Sequence, residues 1–358
     1  MTQGNAILDG MGSTVRNIAY TIEYDLLDTG FNVIGSLNPI SASSVTMNVS
    51  SAIMRSISGV GLTANQMASI DPFADRIRPK MVLGDGTEWP LGVFVFSDEK
   101  ITVYDGISPV SLTLGDPSTL LSQPTLETIS FPAGASIVNS VQTLVIKYGV
   151  RNYDIPIGDG TIVGPSGVTW AAGSNVWKAI QDLCALAGFL PAYFDNNGSL
   201  IIRKPVPSPD ADFVFTSTGG RVVNQSLHTN KKLLTAPNAY QVIDTAPSAG
   251  PIAAIAYVDP QLPWSKENRG GYIIPSVTRK QGLNSVAQAQ AMADALAAAS
   301  GHGFSTIEFY SLPDPRHDLF SNVEWDGTIY RETQVTFGLA FGALQSHTIV
   351  EGGFTVAS

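Results

Sequence analysis

The sequence predicts a mainly β fold with an α+β insertion, and three observations predict it. Residues 15 to 114 alternate apolar and polar side chains in short runs, the period of half-buried strands. Between residues 119 and 210 the apolar spacing changes to that of helices, and from Phe213 the alternating runs return. A chain of 358 residues exceeds one ordinary core, since a domain takes roughly 100 to 200 residues. The expected division is therefore 1–118, 119–210 and 211–358: a first β domain with an amino-terminal arm, an α/β linking region, and a second β domain with an Ala-rich helix.

In the first region the strands are expected over Val15 to Leu27, Ser44 to Val49, Leu91 to Phe96 and Lys100 to Tyr104. Asp85-Gly86, between Lys80 to Leu83 and Trp89 to Phe94, signals a hairpin because both positions accept left-handed backbone cheaply. Pro79 and Pro90 push their strands toward a sheet edge.

The texture changes near Asp116-Pro117. Ile137, Val141, Leu144, Val145 and Tyr148 share one face of a helix that Gly149 ends. Ile155 to Gly167 reads as a Gly/Pro-punctuated loop with a short strand. From Trp170 to Val206 one unit is unbroken. Ser174 caps a helix whose apolar face is Val176, Ile180, Leu183, Cys184 and Ala187, and Gly188 stops it. Ala192 to Phe194 and Leu200 to Ile202 then flank the turn Asp195-Asn196-Asn197-Gly198. Pro205 to Pro209 is a stiff connector.

Beyond it, strands are expected at Phe213 to Phe215, Ala239 to Ile243, Ile252 to Val258, Phe304 to Tyr310, Tyr330 to Leu339 and Ser346 to Val350. Ser285 to Gln288 forms a capping box before the Ala-rich run 289–299, a small face suited to close packing on a sheet. Asp326-Gly327 after Trp325 resembles the earlier Asp85-Gly86 turn, which permits two copies of one β-barrel in the chain.

Composition excludes several functions. Charged residues make up 14% against roughly 25% in an average domain, a surface suited to permanent assembly partners. A net charge of -10, with no run of Lys or Arg, argues against nucleic-acid binding, although an acidic wall suits a channel through which DNA slides. The start has no leader-like segment and no apolar stretch approaches a membrane span, so neither export nor membrane insertion is expected, and synthesis in a reducing cytoplasm is. Cys184, the single cysteine, is expected to pack as a small hydrophobe.

No residue set spells out chemistry. Asp314, His317 and Asp318 are the nearest to a metal or acid-base cluster, yet they read as a polar loop leading into Asn322 to Trp325. His228, His302, His317 and His347 lie in different elements and form no one-turn helical pair. Asp195 to Gly198 lacks the regular ligands of a calcium loop, and Gly59-Val60-Gly61, Gly158-Asp159-Gly160 and Gly219-Gly220 read as turns. Glu23 with Asp25 and Glu324 with Asp326 can share a strand face, for which a solvated face is the default. The five tryptophans read as core or interface anchors. The expectation is no catalytic residue, no cofactor and no metal.

Three segments resemble the hub proteins at the tail tip of long-tailed phages, including minor tail proteins of actinobacteriophages. They are Arg76-Ile77-Arg78-Pro79 through Trp89 to Phe94, the helix-hairpin of Ser174 to Arg203, and Ser311 to Phe320 with Tyr330 and His347 to Val350. The resemblance implies two tube-type β-barrel domains flanking a smaller α/β region, in a homotrimer that mimics a six-fold ring. Such a structural virion protein of the tail tip (baseplate hub) joins the tail tube and distal tail ring to a three-fold tip and closes the channel until ejection. Its implied partners are the distal tail protein ring, the tape-measure protein and other tail-tip or fibre proteins, with DNA only in transit. Relatives often carry a receptor-binding or wall-cutting extension after the barrel, and ending at Ser358 implies that other chains do that work. The alternatives are a hexameric distal tail ring protein and a cell-wall polysaccharide-binding or hydrolysing β-protein.

Overall fold

Alternation in the first region gives β1 (Tyr20–Leu27), β2 (Val33–Leu37), β3 (Ser44–Asn48), β4 (Arg55–Leu62), the one-turn helix α1 (Ala64–Met67), β5 (Arg76–Leu83), β6 (Glu88–Pro90), β7 (Val95–Ile101) and β8 (Val110–Gly115). The structure, a computed structural model, describes residues 19–42, 44–101, 110–205, 210–217, 222–224, 236–245, 251–301, 306–340 and 342–351. Four of these strands form an antiparallel sheet in the order β2-β1-β5-β6. Asp85-Gly86 makes the β5–β6 turn, with Gly86 at φ 85 and the Asp85 carboxylate accepting from Thr87 N. Pro90 does lie on the edge. Pro79 does not, because β6 adds beyond β5, and the Pro79 carbonyl accepts from Leu91 N at 3.0 Å.

The linking region follows as α2 (Ser118–Leu121), β9 (Ile129–Phe131), α3 (Ile137–Lys147), β10 (Tyr153–Asp154), β11 (Val168–Trp170), α4 (Val176–Leu186), β12 (Tyr193–Phe194) and β13 (Leu200–Ile201). Both helices have the expected apolar face. Ile137, Val141, Leu144 and Val145 of α3 and Val176, Ile180, Leu183 and Cys184 of α4 are buried in one core. Each such side chain contributes about 1.5–3 kcal/mol of burial. Burial also pushes the Cys184 thiol up to about 12, so it stays protonated. The cap of α4 is Asn175 rather than Ser174: Asn175 Oδ1 accepts from Lys178 N at 2.6 Å, while Ser174 closes the preceding turn onto Ala171 O. Gly149 and Gly188 end the helices at φ 80 and φ 70, where a side chain would be strained.

The remaining elements are β14 (Phe213–Phe215), β15 (Val222–Asn224), β16 (Ala239–Asp244), β17 (Ala253–Tyr257), β18 (Pro275–Lys280), α5 (Val286–Gly301), β19 (Thr306–Ser311), β20 (Asn322–Trp325), β21 (Thr328–Gly338) and β22 (Gln345–Glu351). Strands β17-β16-β18 form a sheet against which α5 lays Ala289, Ala293 and Ala297. This sheet and helix, though they follow residue 211, pack into the same core as α3 and α4. Half of the expected capping box forms. Ser285 Oγ accepts from Gln288 N, but Gln288 Oε1 takes the N–H of Asn284, and its amide reaches Leu186 O at 2.6 Å, docking α5 on α4.

The mainly β class with an α+β insertion is what the fold has. Its largest sheet runs β15-β19-β22-β21-β3-β4-β8-β7, with β20 on β21 and β14 on β20. The two β regions meet where β21 pairs with β3, from Gln334 opposite Asn48 to Gly338 opposite Ser44. They share one open sheet, and neither closes on itself into a barrel among the described residues. The Asp85-Gly86 and Asp326-Gly327 turns are not counterparts, since the first belongs to the small sheet and the second joins β20 to β21. Gly59 and Gly61 are not a turn either. They lie within β4 beside a bulge, and a Cβ on Gly61 would come within 2.4 Å of Ser41 Oγ, so glycine permits the close bridge to Ser41. The strand expected at Leu91 starts only at Val95, and its continuation past Ile101 lies outside the described residues, as do residues 15–18, 206–209, 304 and 305.

Candidate functional site

Arg55, at the start of β4, is fully buried and is the point where three distant parts of the chain meet. Its Nη1 donates to Leu91 O at 3.0 Å and to Asn196 Oδ1, and its Nη2 donates to the Asp318 carboxylate. Asn196 in turn donates from Nδ2 to His317 O at 3.2 Å. The backbone of Arg55 exchanges bonds with Asp116, donating to its carboxylate at 3.1 Å and accepting from its N–H at 2.9 Å. Thus the turn Asp195 to Gly198, which the sequence marks only as a hairpin, is a wedge between the first and second β regions.

Glycine makes the wedge fit. A Cβ on Gly198 would stand 2.8 Å from Val93 Cβ, and one on Gly92, at φ 131, would stand 2.6 Å from Arg55 Cδ. Around the joint, Arg203 lies over the Tyr193 ring, Tyr193 packs on Phe320, and Trp177 donates to Ala52 O at 3.1 Å. Burial pushes the Asp318 carboxyl above the usual carboxylate range, and the Arg55 guanidinium pulls against it. Arg55 is fully buried while the Asp318 side chain is 28% exposed, so removing Asp318 leaves a buried guanidinium uncompensated, at a cost of about 3–5 kcal/mol, whereas removing Arg55 leaves a carboxylate that water reaches.

A second cluster lies in the carboxy-terminal β region. Glu332 on β21 accepts from His317 Nδ1 through Oε2 at 2.8 Å and from His347 Nδ1 through Oε1 at 2.6 Å. His347 Nε2 meets Ser311 Oγ at 2.7 Å, whereas His317 Nε2 has no protein partner. Phe213 stacks on His317 with centroids 3.5 Å apart, and Phe309 stacks on His347 at 4.5 Å. Burial pushes the Glu332 carboxyl up, but the charge and hydrogen bonds of the two imidazoles outweigh it and hold the group at about 2. Burial likewise holds His347 below the ordinary histidine value, against the pull of Glu332.

Two imidazoles and a carboxylate are metal-ligand chemistry, so the spacing decides. Tetrahedral zinc at about 2.0–2.1 Å from each ligand sets the ligand atoms about 3.3 Å apart. The 2.6 and 2.8 Å separations are those of N–H donors on a carboxylate, so protons rather than a cation join these groups as they stand. All three side chains are at most 2% exposed, which keeps substrate away from them.

The other sequence candidates fall apart or into structural roles. Asp314, His317 and Asp318 point to separate partners: Asp314 closes on Arg316 at 2.6 Å, His317 on Glu332, and Asp318 on Arg55. Asp25 is paired with Arg78 at 2.6 Å and Lys80 at 3.3 Å, and Lys80 also reaches Glu23 and Glu88. Asp326 accepts from Ser217 N in its turn, apart from Glu324. Asp159 bonds Thr161 N and pairs with Lys204. His228, His302, Gly219 and Gly220 lie outside the described residues. Sequence reasoning missed Arg55, Glu332 and the pairing of His317 with His347. A signal existed in β22, where Gln345, His347 and Ile349 share the buried parity of an alternating strand.

No family model and no curated protein matches the chain. Solved structures do match it along nearly its whole length. The tail protein from Neisseria meningitidis superposes with a TM-score of 0.63 at 10% identity, covering 93% of this chain and 97% of the other. The 43 kDa tail protein of a prophage from Shewanella oneidensis gives 0.62 at 12% identity, covering 93% and 98%. A prophage tail protein from Listeria monocytogenes gives 0.56 at 10% identity, covering 92% and 95%. The chain has the fold of these phage tail proteins.

Proposed function

We propose that the chain is a structural virion protein of the phage tail tip, a hub that joins the hexameric tail tube and distal tail ring to a three-fold tip and closes the channel until DNA ejection. The observation that carries this reading is the β21–β3 junction. It sets two four-stranded antiparallel runs, β15-β19-β22-β21 and β3-β4-β8-β7, side by side in one sheet of one chain. Three copies then supply six such runs to a ring, which is the match a three-fold tip needs to a six-fold tube. A distal ring subunit with a single run needs six copies instead. In this reading 1–118 and 211–358 carry the tube-type β-barrel halves and 119–210 links them, with the Arg55 joint holding their angle.

The partners proposed are two further copies of the chain, the distal tail protein ring, the tape-measure protein and other tail-tip or fibre proteins, with DNA only passing through. The low charge of 14%, and apolar side chains as exposed as Phe73 at 90% and Leu126 at 97%, support a protein made for permanent contacts. A non-enzymatic role accords with polar clusters that are either sealed or charge-paired. The site of action proposed is the virion tail tip, after synthesis in the host cytoplasm. Imaging native particles tests this: three-fold density at the chain's position is expected, and six-fold density overturns the hub in favour of the distal ring. In sedimentation the isolated chain is expected to be poorly soluble or variably oligomeric, and a stable monodisperse monomer at micromolar concentration argues against it.

A further inference from the structure

The β17-β16-β18 sheet is apolar on both faces, and the chain covers one of them. Val242, Ala254 and Ala256 pack with the alanines of α5 in the α/β core. On the opposite face Gln241 has Ile255 and Val277 as its register partners, and Ile243 has Ala253 and Arg279. Ile255 is 47% exposed and Val277 40%, and Tyr257, two residues along from Ile255, is 48% exposed. A sheet with one solvated face alternates apolar and polar side chains, so apolar residues on both faces call for a second layer. The open face ends on a cation. Arg279 is exposed and closes no ion pair among the described residues, and no carboxylate stands on the face beside it. Asp182, which lines the adjoining cleft with Arg279, is held by Lys178 at 2.6 Å and Lys280 at 3.3 Å.

The complement of that face is present elsewhere on the same chain. Between α1 and β5, the loop 71–75 presents Phe73 at 90% exposure beside Asp71. The loop is braced: Asp71 Oδ1 accepts from Phe73 N at 3.0 Å, the Asp75 carboxylate accepts from Asp71 N at 2.8 Å, and Arg76 Nη1 donates to the carbonyls of Ala74 and Asp75. An aromatic side chain on a support already ordered loses little entropy on docking. Leu126 and Ile157 are similarly exposed, but the acids near them are paired, Glu127 with Lys147 and Asp159 with Lys204. Asp71 closes no ion pair among the described residues. We propose that the face takes the 71–75 loop of a second copy of the chain, with Phe73 on Ile255 and Val277 and the Asp71 carboxylate on Arg279. Val277 and Arg279 lie about 6.6 Å apart along β18, a step that two residues of the loop can match. Loop and face are both uncovered within one chain, so their contact lies between copies. Face against face would oppose Arg279 with Arg279, which makes the contact head-to-tail. Apolar burial supplies the affinity and the ion pair sets the direction.

This inference deepens the hub reading by naming a surface through which copies meet, and it rests on that reading for their being neighbours. Sedimentation of the full chain tests it. Phe73→Ser and Val277→Glu, both on exposed side chains, are each expected to self-associate at least about tenfold more weakly than the wild type while circular dichroism stays unchanged. An equimolar mixture of the two is expected to recover association, because the intact loop of Val277→Glu still fits the intact face of Phe73→Ser. Arg279→Glu is expected to weaken association and Arg279→Lys to keep it. A wild-type chain that stays monomeric, variants that associate as the wild type does, or a mixture that recovers nothing overturns the proposal, and another chain then covers the face. Particle symmetry fails separately: six-fold density removes the hub and leaves head-to-tail pairing in place, whereas three-fold particles whose copies associate regardless of Phe73 and Val277 overturn this inference alone.

Discussion

The α/β core and the Arg55 joint hold the molecule together by opposite means. In the core, Ile137, Val141 and Val145 of α3 and Ile180, Leu183 and Cys184 of α4 pack without a polar group among them, and each helix presents them at helical spacing. At the joint, a single fully buried guanidinium gathers Leu91, Asn196 and Asp318 from three separate stretches. Apolar packing tolerates small displacement because it is non-directional, whereas a guanidinium fork fixes position and angle. A core keeps a region folded. The joint sets how regions stand relative to one another.

The comparison can be broken experimentally, beginning at the joint. Arg55→Leu is expected to cost about 3–4 kcal/mol by urea denaturation, because Leu91 O, Asn196 and the partly exposed Asp318 carboxylate all lose their shared donor. Ile180→Ala, in the centre of the apolar core, is expected to cost about 3 kcal/mol through cavity formation. The two differ in kind. The core variant is expected to lower the stability of the α/β region, while the joint variant is expected to loosen the β regions against it, seen as hydrogen exchange rising at residues 91–94 and 317–320. Equal exchange patterns from both would erase the distinction.

The His317–Glu332–His347 cluster gives a pH test. Glu332 is held at about 2 against 4.5 in an unfolded chain, and His347 is held below 6.5. Both folded values are depressed, so the unfolded state binds more protons and acid favours it. Stability is expected to be full above pH 6.5, to fall first as unfolded histidine protonates, and to fall further from pH 4.5 toward 2. Glu332→Gln is expected to cost about 1–3 kcal/mol at neutral pH and to flatten the limb below pH 4.5. A variant with the wild-type acid limb would assign that limb to other carboxylates.

Smaller effects sharpen the local assignments. Asn196→Ala is expected to cost about 1–2 kcal/mol, since Arg55 and His317 O both lose a partner. Asn175→Ala is expected to cost about 1 kcal/mol and Ser174→Ala much less, which thermal melts of the pair resolve.

Much of the chain was legible residue by residue. The helix and hairpin from Trp170 to Arg203 follow from period and turn residues that act within a few positions. The cap moved by one residue because Ser and Asn both cap, and only the turn before them decides which is free to do so. The glycines at 59 and 61 misled for a related reason: their role is closeness to Ser41 across a bridge, which composition does not express. His317 and His347 gave no motif because they lie thirty residues apart and meet through the strand pairing of β21 with β22 and the 311–321 loop.

By itself the sequence determined the mainly β class, the two amphipathic helices of the linking region and the hairpin at Asp195 to Gly198, since each of these depends on neighbours along the chain. Tertiary structure decided the rest: that β21 pairs with β3, that residues 236–301 share the α/β core, and that the turn at Asn196 reaches Arg55 and Asp318. Strand order and buried ion pairs depend on which surfaces meet after collapse. Residues 55, 196 and 318 carry no mark of one another until the fold brings them within hydrogen-bond reach.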